Sequence, residues 1–313
     1  MEGIVEGTKY ECLIFGMSQA LTTQLNRYCT YLFSLFQTVQ ISISAISFAD
    51  MDDTLYPFSA GINLACRKNI QDYMRHHLKI EESQIAEMCL ELYKEYGTTL
   101  AGLKALGYKF DNDEFHADVH GTLPYHNLRP DPVLRTLLLS IQQRKIVFTN
   151  SDKNHAEEVL YRLGLQGCFD GVICFETLNP SDGLYESENC MMLSNETSPN
   201  SIDLNESNGF RPKSPVLCKP SIEAVEAAIR IANVDPKKTI FFDDSTRNIA
   251  SGKAAGFETV IVGRSTLVPG ADHALESIHN IKEALPQIWD GQDWSESDVA
   301  RPSATVEAAA VVA

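Results

Sequence analysis

Basic side chains are scarce. The 313-residue chain has 26 Lys and Arg against 42 Asp and Glu, a formal net charge of −16. Polyanion binding depends on neutralising many phosphates, so this balance argues against a nucleic-acid polymer as partner. No CxxC pair or repeated spacing joins the eight cysteines (Cys12, Cys29, Cys66, Cys89, Cys168, Cys174, Cys190, Cys218). A structural zinc or a disulfide framework is therefore not indicated, and reduced thiols in the cytoplasm are the expectation, with the nucleus as an alternative compartment. Cys218 has no histidine close in sequence and reads as packing. No internal repeat is present. The length suits one large or two modest domains with a real core.

What the chain does have is a set of apolar runs that stop abruptly at polar residues. Asp50-Met51-Asp52-Asp53-Thr54 follows one such run. Alternate residues of an extended backbone share a face, so Asp50 can attack a phosphorus while Asp52 handles the proton of the leaving oxygen. Ile146-Val147-Phe148 halts at Thr149-Asn150-Ser151-Asp152. Cys218-Lys219-Pro220-Ser221 opens a segment with Ile222, Val225, Ile229 and Ala232 at helical spacing, placing Lys219 near a helix N-terminus. Thr239-Ile240-Phe241-Phe242 runs into Asp243-Asp244.

These four stops, in this order, resemble the motifs of the haloacid dehalogenase superfamily of aspartyl-phosphate hydrolases. The flanks Leu55-Tyr56-Pro57-Phe58-Ser59, Tyr96-Gly97-Thr98-Thr99 and Phe175-Glu176-Thr177-Leu178-Asn179-Pro180 look like its pyrimidine 5'-nucleotidase-like branch. The resemblance covers Asp50 to about Gly263, with Tyr10 to Phe15. It implies an α/β fold: a doubly wound, Rossmann-like parallel sheet with a small helical cap inserted between the first two motifs. It implies Asp50 as nucleophile, Asp52 as acid and base, Thr149 and Lys219 on the phosphoryl group, and Asn150 as a further contact. Mg2+ would be held by Asp50, the Asp52 backbone carbonyl and Asp244, with Asp243 near or in its shell. Tyr96, Thr98 and Thr99 are the candidate substrate contacts from the cap. The carboxylate at Asp52 favours a phosphatase over a dehalogenase, whose halide needs no acid. Lys94 and Lys104 are in no context that suggests a Schiff base. The expected substrate is a small phosphorylated metabolite, foremost a pyrimidine nucleoside 5'-monophosphate. Oligomeric state is not legible.

One stretch does not fit. Tyr10-Glu11-Cys12-Leu13-Ile14-Phe15 reads as the strand that should run into the aspartates, yet residues 16–49 intervene with no Asp or Glu and one basic residue, Arg27. Removing them joins Leu13-Ile14-Phe15 to Asp50-Met51-Asp52. Gly16 encoded GGT before the ATG of Met17 would form a splice donor, and Phe48-Ala49 before a GA-starting codon an acceptor, so the hypothesis is a translated, retained intron. The rivals are a genuine loop and a membrane anchor, since Tyr28 to Ala49 carry no charge. Six Ser and Thr, two Gln and the adjoining catalytic Asp weigh against the anchor, so no membrane partner is expected. With the segment present, Ile41 to Ala49 is the strand contiguous with Asp50, and Ser42, Ser44 and Ser47 make it a poor one for a central parallel position. The alternative function follows: a non-catalytic phospho-ligand or partner-binding protein whose site the insertion has disrupted.

The expected organisation is thus 1–15 as the first core strand, 16–49 as the anomalous segment, 50–58 as the first motif, 59–133 as the helical cap (Ile85, Met88 and Leu92 at helical spacing), 134–286 as the core and 287–313 as a disordered tail. Residues 171–175 and 259–262 read as strands, the latter the last. His116, His120 and His126 lack ligand-like spacing and read as ordinary cap histidines. Within the core, 181–215 is rich in Ser, Asn, Asp, Glu and Pro and is expected to be a mobile loop.

Overall fold

A computed structural model of the protein describes residues 11–14, 45–180 and 213–289. Most of the 16–49 segment, most of the 181–215 loop and all but the first residues of the tail lie outside the described residues.

Among the described residues seven strands are all parallel in their pairings: β1 (Glu11–Ile14), β2 (Ala45–Ala49), β3 (Arg144–Phe148), β4 (Gly171–Ile173), β5 (Thr239–Asp243), β6 (Glu258–Val262) and β7 (His273–Leu275). One run is ordered β1-β2-β5-β6-β7, and β3 pairs with β4 while packing beside β1 and β2. The central strands are apolar on both faces, as a parallel sheet covered by helices requires. Side chains alternate across it. Ala49, Val147, Ile240, Phe242, Val260 and Val262 join one cluster, and Phe48, Ile146, Phe148, Phe241 and Ile261 join the other. Phe48 lies against Phe257 and Phe148, with ring centroids 4.9 and 5.8 Å away.

The helices are α1 (Ile62–His76), α2 (Glu82–Tyr96), α3 (Thr99–Ala105), α4 (Asn112–His120), α5 (Pro132–Leu139), α6 (Lys153–Arg162), α7 (Phe175–Leu178), α8 (Ile222–Ala232), α9 (Thr246–Ala254) and α10 (Ile281–Ala284). Helices α1 to α4 form the cap around a third apolar cluster that includes Tyr73, Met74, Ile85, Met88, Leu92 and Phe115. Helix α5 falls inside the expected cap boundary at its start, yet its Leu134 and Leu138 pack into the core sheet. The cap's helices therefore end at His120.

Four local expectations need correction. The strand read at 171–175 stops at Ile173, because Cys174 caps helix α7 and Phe175 begins it. Strand β6 is not the last: β7 follows, pairing Val260 with His273 and Val262 with Leu275. In α8 the buried face is Ala224, Val225, Ala228 and Ala232, leaving Ile222 exposed. The tail starts later than residue 287, since Ile288 and Trp289 are buried and the Trp289 indole donates to Ser140 Oγ at 3.0 Å.

Both candidate first strands are present, and their register is informative. Glu11 pairs with Ala45, Cys12 with Ile46 and Ile14 with Phe48. Cys12 and Ile46 are each also registered against Thr239 of β5. The weakness read in the contiguous strand is real: Ser47 is fully buried and its hydroxyl has no hydrogen-bond partner. Among the described residues no helix is long and apolar enough to cross a membrane.

Candidate active site

In a parallel α/β sheet the strand C-termini open onto one edge, where ligands bind. Asp50 follows the end of β2, held by its N–H donating to the Phe242 carbonyl at 2.8 Å. Asp243 closes β5, and Thr149 follows β3. Lys219 enters this edge from the loop ahead of α8. Its backbone is clamped by Asn150, whose amide donates to the Lys219 carbonyl at 2.9 Å and accepts from its N–H at 2.8 Å.

The Lys219 side chain is 1% exposed. Its ammonium donates to the Phe148 carbonyl at 2.6 Å and lies 2.9 Å from Asp243 Oδ2 and 3.0 Å from Asp50 Oδ2. Burial alone would lower its pKa; Asp243 and Asp50 outweigh that and raise it, so Lys219 stays charged. Asp50 is raised well above the ordinary carboxylate value, by burial first and then by Asp243, Asp244 and Asp52 against the pull of Lys219. Asp244 is pushed up to about 7, by burial and then by Asp243 and Asp53.

These shifts describe too many carboxylates around one lysine. Oxygens of Asp50, Asp243 and Asp244 lie within 4.8 Å of one another. An all-oxygen, negatively charged set of this kind fits a hard divalent cation. Asp243 is the least available ligand. Its Oδ1 already accepts from Ser245 N–H at 2.8 Å and Asn248 Nδ2 at 3.0 Å, and its Oδ2 accepts from Lys219 and, at 3.1 Å, from Asn248. Asp50 and Asp244 are the freer pair, and Asp243 anchors the lysine.

Asp52 is turned toward α6. Its Oδ1 accepts from Tyr56 Oη at 2.6 Å and from His155 Nε2 at 2.9 Å. Burial would raise its pKa, but His155 and Tyr56 bring it below the usual carboxylate range. His155 is 2% exposed and its other nitrogen meets Tyr125 Oη at 2.7 Å. Neither His155 nor Tyr56 was singled out for this role from the sequence. The available signal was positional: Asp152 caps α6 through the N–H groups of Asn154 and His155, which puts His155 in the first turn after the second polar stop.

The remaining candidates divide. Thr149 is 1% exposed, and its hydroxyl is paired with Ser151 Oγ at 2.8 Å; Asn150 and Ser151, not Thr149, line the cleft. Thr98 lines the cleft and caps α3 by accepting from Ala101 N–H at 3.1 Å. Thr99 is buried and donates to the Cys89 carbonyl at 3.2 Å. Tyr96 packs against the cap cluster, while Tyr93, on the same cap helix, reaches the cleft. Lys104 is committed to the Phe110 carbonyl and ring. Cys218 is buried, its thiol donates to the Tyr96 carbonyl at 3.2 Å, and burial pushes its pKa up to about 11.

Between cap and core is a cleft of about 460 Å3, lined by Asp50, Asp52 and Asp244 from below and by Arg67, Tyr93 and Phe115 from the cap. That volume suits a small-molecule ligand. A larger hollow of about 800 Å3, lined by Pro57, Arg129, Arg264 and His279, shares Asp53 and Asp244 but contains neither Asp50 nor Asp52, so the smaller cleft is the candidate site. Two contacts close it. His120 at the end of α4 is hydrogen-bonded through Nδ1 to Asp152 Oδ1. Arg247 at the start of α9 donates to the carbonyls of Tyr93 at 3.0 Å and Lys94 at 2.6 Å and stacks over the Tyr93 ring. His120 thus does more than fill the cap, while His126 is exposed.

Fold and site together define a parallel α/β core whose strand ends hold an acidic cleft beneath a helical cap, with a buried lysine behind the Asp50 carboxylate. No family model matches the chain. Among curated proteins, Phosphate metabolism protein 8 of Saccharomyces cerevisiae is 29% identical over 135 residues, which is 41% of this chain and 42% of the length of that protein. Similar solved structures include a HAD phosphatase from Thermococcus onnurineus, 15% identical with a TM-score of 0.44 over 76% of this chain and 95% of that one. A magnesium-bound HAD hydrolase from Bacillus subtilis is 18% identical with a TM-score of 0.43, covering 76% and 96%. The L-2-haloacid dehalogenase of Xanthobacter autotrophicus is 13% identical with a TM-score of 0.42, covering 76% and 96%.

Proposed function

We propose that the chain is a phosphomonoesterase of the haloacid dehalogenase superfamily, acting through an aspartyl-phosphate on Asp50. The observation that carries this reading is the Asp50 carboxylate 3.0 Å from a buried ammonium that also grips the end of β5. A carboxylate nucleophile needs nearby positive charge to stay ionised and to accept a phosphoryl dianion. The four ordered motifs and the yeast relative named for phosphate metabolism support the same reading.

In the first step an Asp50 oxygen bonds to phosphorus, the ester P–O bond breaks, and the departing oxygen takes a proton from Asp52. In the second, water gives that proton position back to Asp52 as its oxygen attacks phosphorus, and the acyl-phosphate P–O bond returns its electron pair to Asp50. A phosphate dianion beside Asp52 adds negative charge that favours the protonated acid needed first. Lys219 orients and neutralises; Asn150 holds the backbone of Lys219. Mg2+ is the cofactor that the carboxylates of Asp50 and Asp244 fit; these, with the Asp52 carbonyl that the resemblance adds, would hold it, and it would supply charge neutralisation for the bound phosphate.

The substrate is a small phosphorylated metabolite, foremost a pyrimidine nucleoside 5'-monophosphate. Aromatic and polar cap residues in the cleft, Tyr93, Phe115, Arg67 and Gln71, suit a flat heterocycle bearing polar edges. A disrupted, non-catalytic site would need Asp50 drawn away from Lys219, and the two are in contact.

The test is phosphate release from a panel of nucleotides and sugar phosphates with Mg2+. Activity is expected to be lost in Asp50→Asn and on chelation, and restored by Mg2+. Phosphate release that survives Asp50→Asn refutes the mechanism.

A further inference from the structure

The two donors on Asp52 both reach one oxygen. Tyr56 Oη and His155 Nε2 converge on Oδ1, and among the described residues Oδ2 accepts no hydrogen bond. The Asp52 side chain is 33% exposed, whereas that of His155 is 2% exposed. One oxygen is therefore pinned into the protein and the other is left to the cleft. His155 is fixed in turn: Tyr125 Oη meets its Nδ1 at 2.7 Å, the His120 ring lies 4.6 Å away, and its backbone N–H is held by the α6 cap at Asp152. Burial raises the pKa of Tyr56 and of Tyr125, so both phenols remain protonated.

We infer that His155, held by Tyr125, is a positioning residue for Asp52, dedicating Oδ2 to proton exchange with the leaving oxygen. This rests on the phosphomonoesterase reading above. When Oδ2 gives its proton to the departing oxygen, the electron pair of the broken O–H bond stays on the carboxylate. The hydrogen bonds at Oδ1 then face a charged acceptor and strengthen, as charge-assisted bonds do. They are worth more after proton transfer than before it, which is the condition for accelerating the step. His155 borders the cleft, but its Nε2 is engaged by Asp52 and its Nδ1 by Tyr125, which leaves it to act through Asp52.

Leaving-group dependence separates this role from a structural one. An alkyl phosphate needs its departing oxygen protonated, whereas para-nitrophenyl phosphate releases a phenolate that leaves without an acid. Because general acid catalysis contributes about 100- to 10,000-fold, and because kcat/KM reports only the steps through formation of the aspartyl-phosphate and so leaves out the base step on Asp52 that both esters share, His155→Ala is expected to lower kcat/KM on the alkyl ester by roughly 10- to 100-fold while changing kcat/KM on the aryl ester less than about threefold. His155→Gln, which keeps an N–H donor at about the same reach, should recover part of the loss. Tyr125→Phe should show a weaker version of the same pattern. Equal losses on both esters, or none on either, overturn the inference. Should His155→Ala fail to fold, the comparison of His155→Gln and Tyr125→Phe with wild type carries the same test. Wild-type and Asp50→Asn proteins run in parallel tell the failures apart: no hydrolysis of either ester by wild type sinks the phosphomonoesterase reading, aryl hydrolysis that persists in Asp50→Asn sinks the Asp50 mechanism, and its loss there with no leaving-group effect in the His155 variants sinks only the role of His155.

Discussion

Deleting residues 16–49 should leave a folded protein with its cleft intact. The reason is the register of β1 and β2. Glu11 pairs with Ala45, Cys12 with Ile46 and Ile14 with Phe48, each partner 34 positions further along the chain, and 16–49 is 34 residues long. Joining Phe15 to Asp50 therefore lets Glu11 to Phe15 take over the positions of Ala45 to Ala49, with Leu13 at the position of Ser47. That exchange removes a buried hydroxyl without a partner, a gain of about 1–3 kcal/mol. It also trades Phe48 for Ile14 and Ala49 for Phe15, moving bulk from the aromatic face to the face beside Ile240 and Phe242. Mismatched volume of this kind costs about 1–3 kcal/mol. These two effects nearly cancel, and the β1 ladder with β2 is lost besides, so the melting temperature should stay level or fall, by less than roughly 10 °C.

The deciding control is parity. A second variant lacking only 17–49 keeps Gly16 and shifts the strand by one residue, which sends every side chain to the opposite face. Thermal melts and phosphate release on the panel should show the first variant cooperative and active, and the second neither. A first variant that is unfolded or inactive while the full chain works, or a second that performs as well as the first, refutes the register reasoning. Transcript sequencing addresses the origin of the segment, since a majority message lacking those codons is what a retained intron requires.

Three further outcomes follow from named contacts. Gly97 has φ +88, and a Cβ there would lie 2.2 Å from the Lys219 carbonyl oxygen; Gly97→Ala should displace the loop carrying Lys219, and because a displacement of about 1 Å can cost roughly 100-fold in rate, kcat should fall far more than stability, as steady-state kinetics and melts would show. Arg247→Ala removes the donors to Tyr93 and Lys94, so hydrogen exchange at the end of α2 should rise and KM with it, at a nearly unchanged melting temperature. Burial drops the pKa of His116 to about 4. The unfolded chain binds that proton below about 6.5 and the folded chain only near 4, so stability is full above pH 6.5 and falls as pH drops through this window, by up to about 3 kcal/mol. His116→Leu should flatten that slope in denaturant titrations, and an unchanged slope refutes the assignment.

Much of the core and its site was legible in the sequence because a strand buried on both faces must be continuously apolar. When such a run ends on Asp, Thr or paired Asp, the polar residue is forced to the sheet edge, and this placed Asp50, Thr149 and Asp243 without any tertiary information. Shorter or one-sided elements were not legible on that basis. Strand β7 has three residues, of which only Leu275 is buried, too few to show a period. Phe175 continues an apolar run, but the Thr177 side chain accepts from the Cys174 N–H at 3.2 Å and the chain turns helical there. Trp289 docks in the core although a polar tail follows it at once.

The residues that set the chemistry of Asp52 escaped for a different reason. Tyr56, Tyr125 and His155 are each unremarkable in their own segments, and their meaning arises where Tyr56 and His155 meet at one carboxylate oxygen and Tyr125 holds the far nitrogen of His155. The same holds for charge. A chain with net charge −16 repels phosphate as a whole, so attraction has to be built locally, from Lys219 below and from Arg67 and Arg247 around the cleft. Against these cations, Asp50, Asp52, Asp53 and Asp244 face the same space. Lys219 is already shared between Asp50 and Asp243, and among the described residues no ammonium or guanidinium pairs directly with Asp244, whose pKa burial and then Asp243 and Asp53 push up to about 7 against the pull of Lys219. A divalent cation at Asp50 and Asp244 would at once ionise Asp244, keep Asp50 charged and admit an anionic substrate, so under the proposed function the site's acidity, read alone as hostile to phosphate, would be the feature that makes phosphate chemistry there feasible.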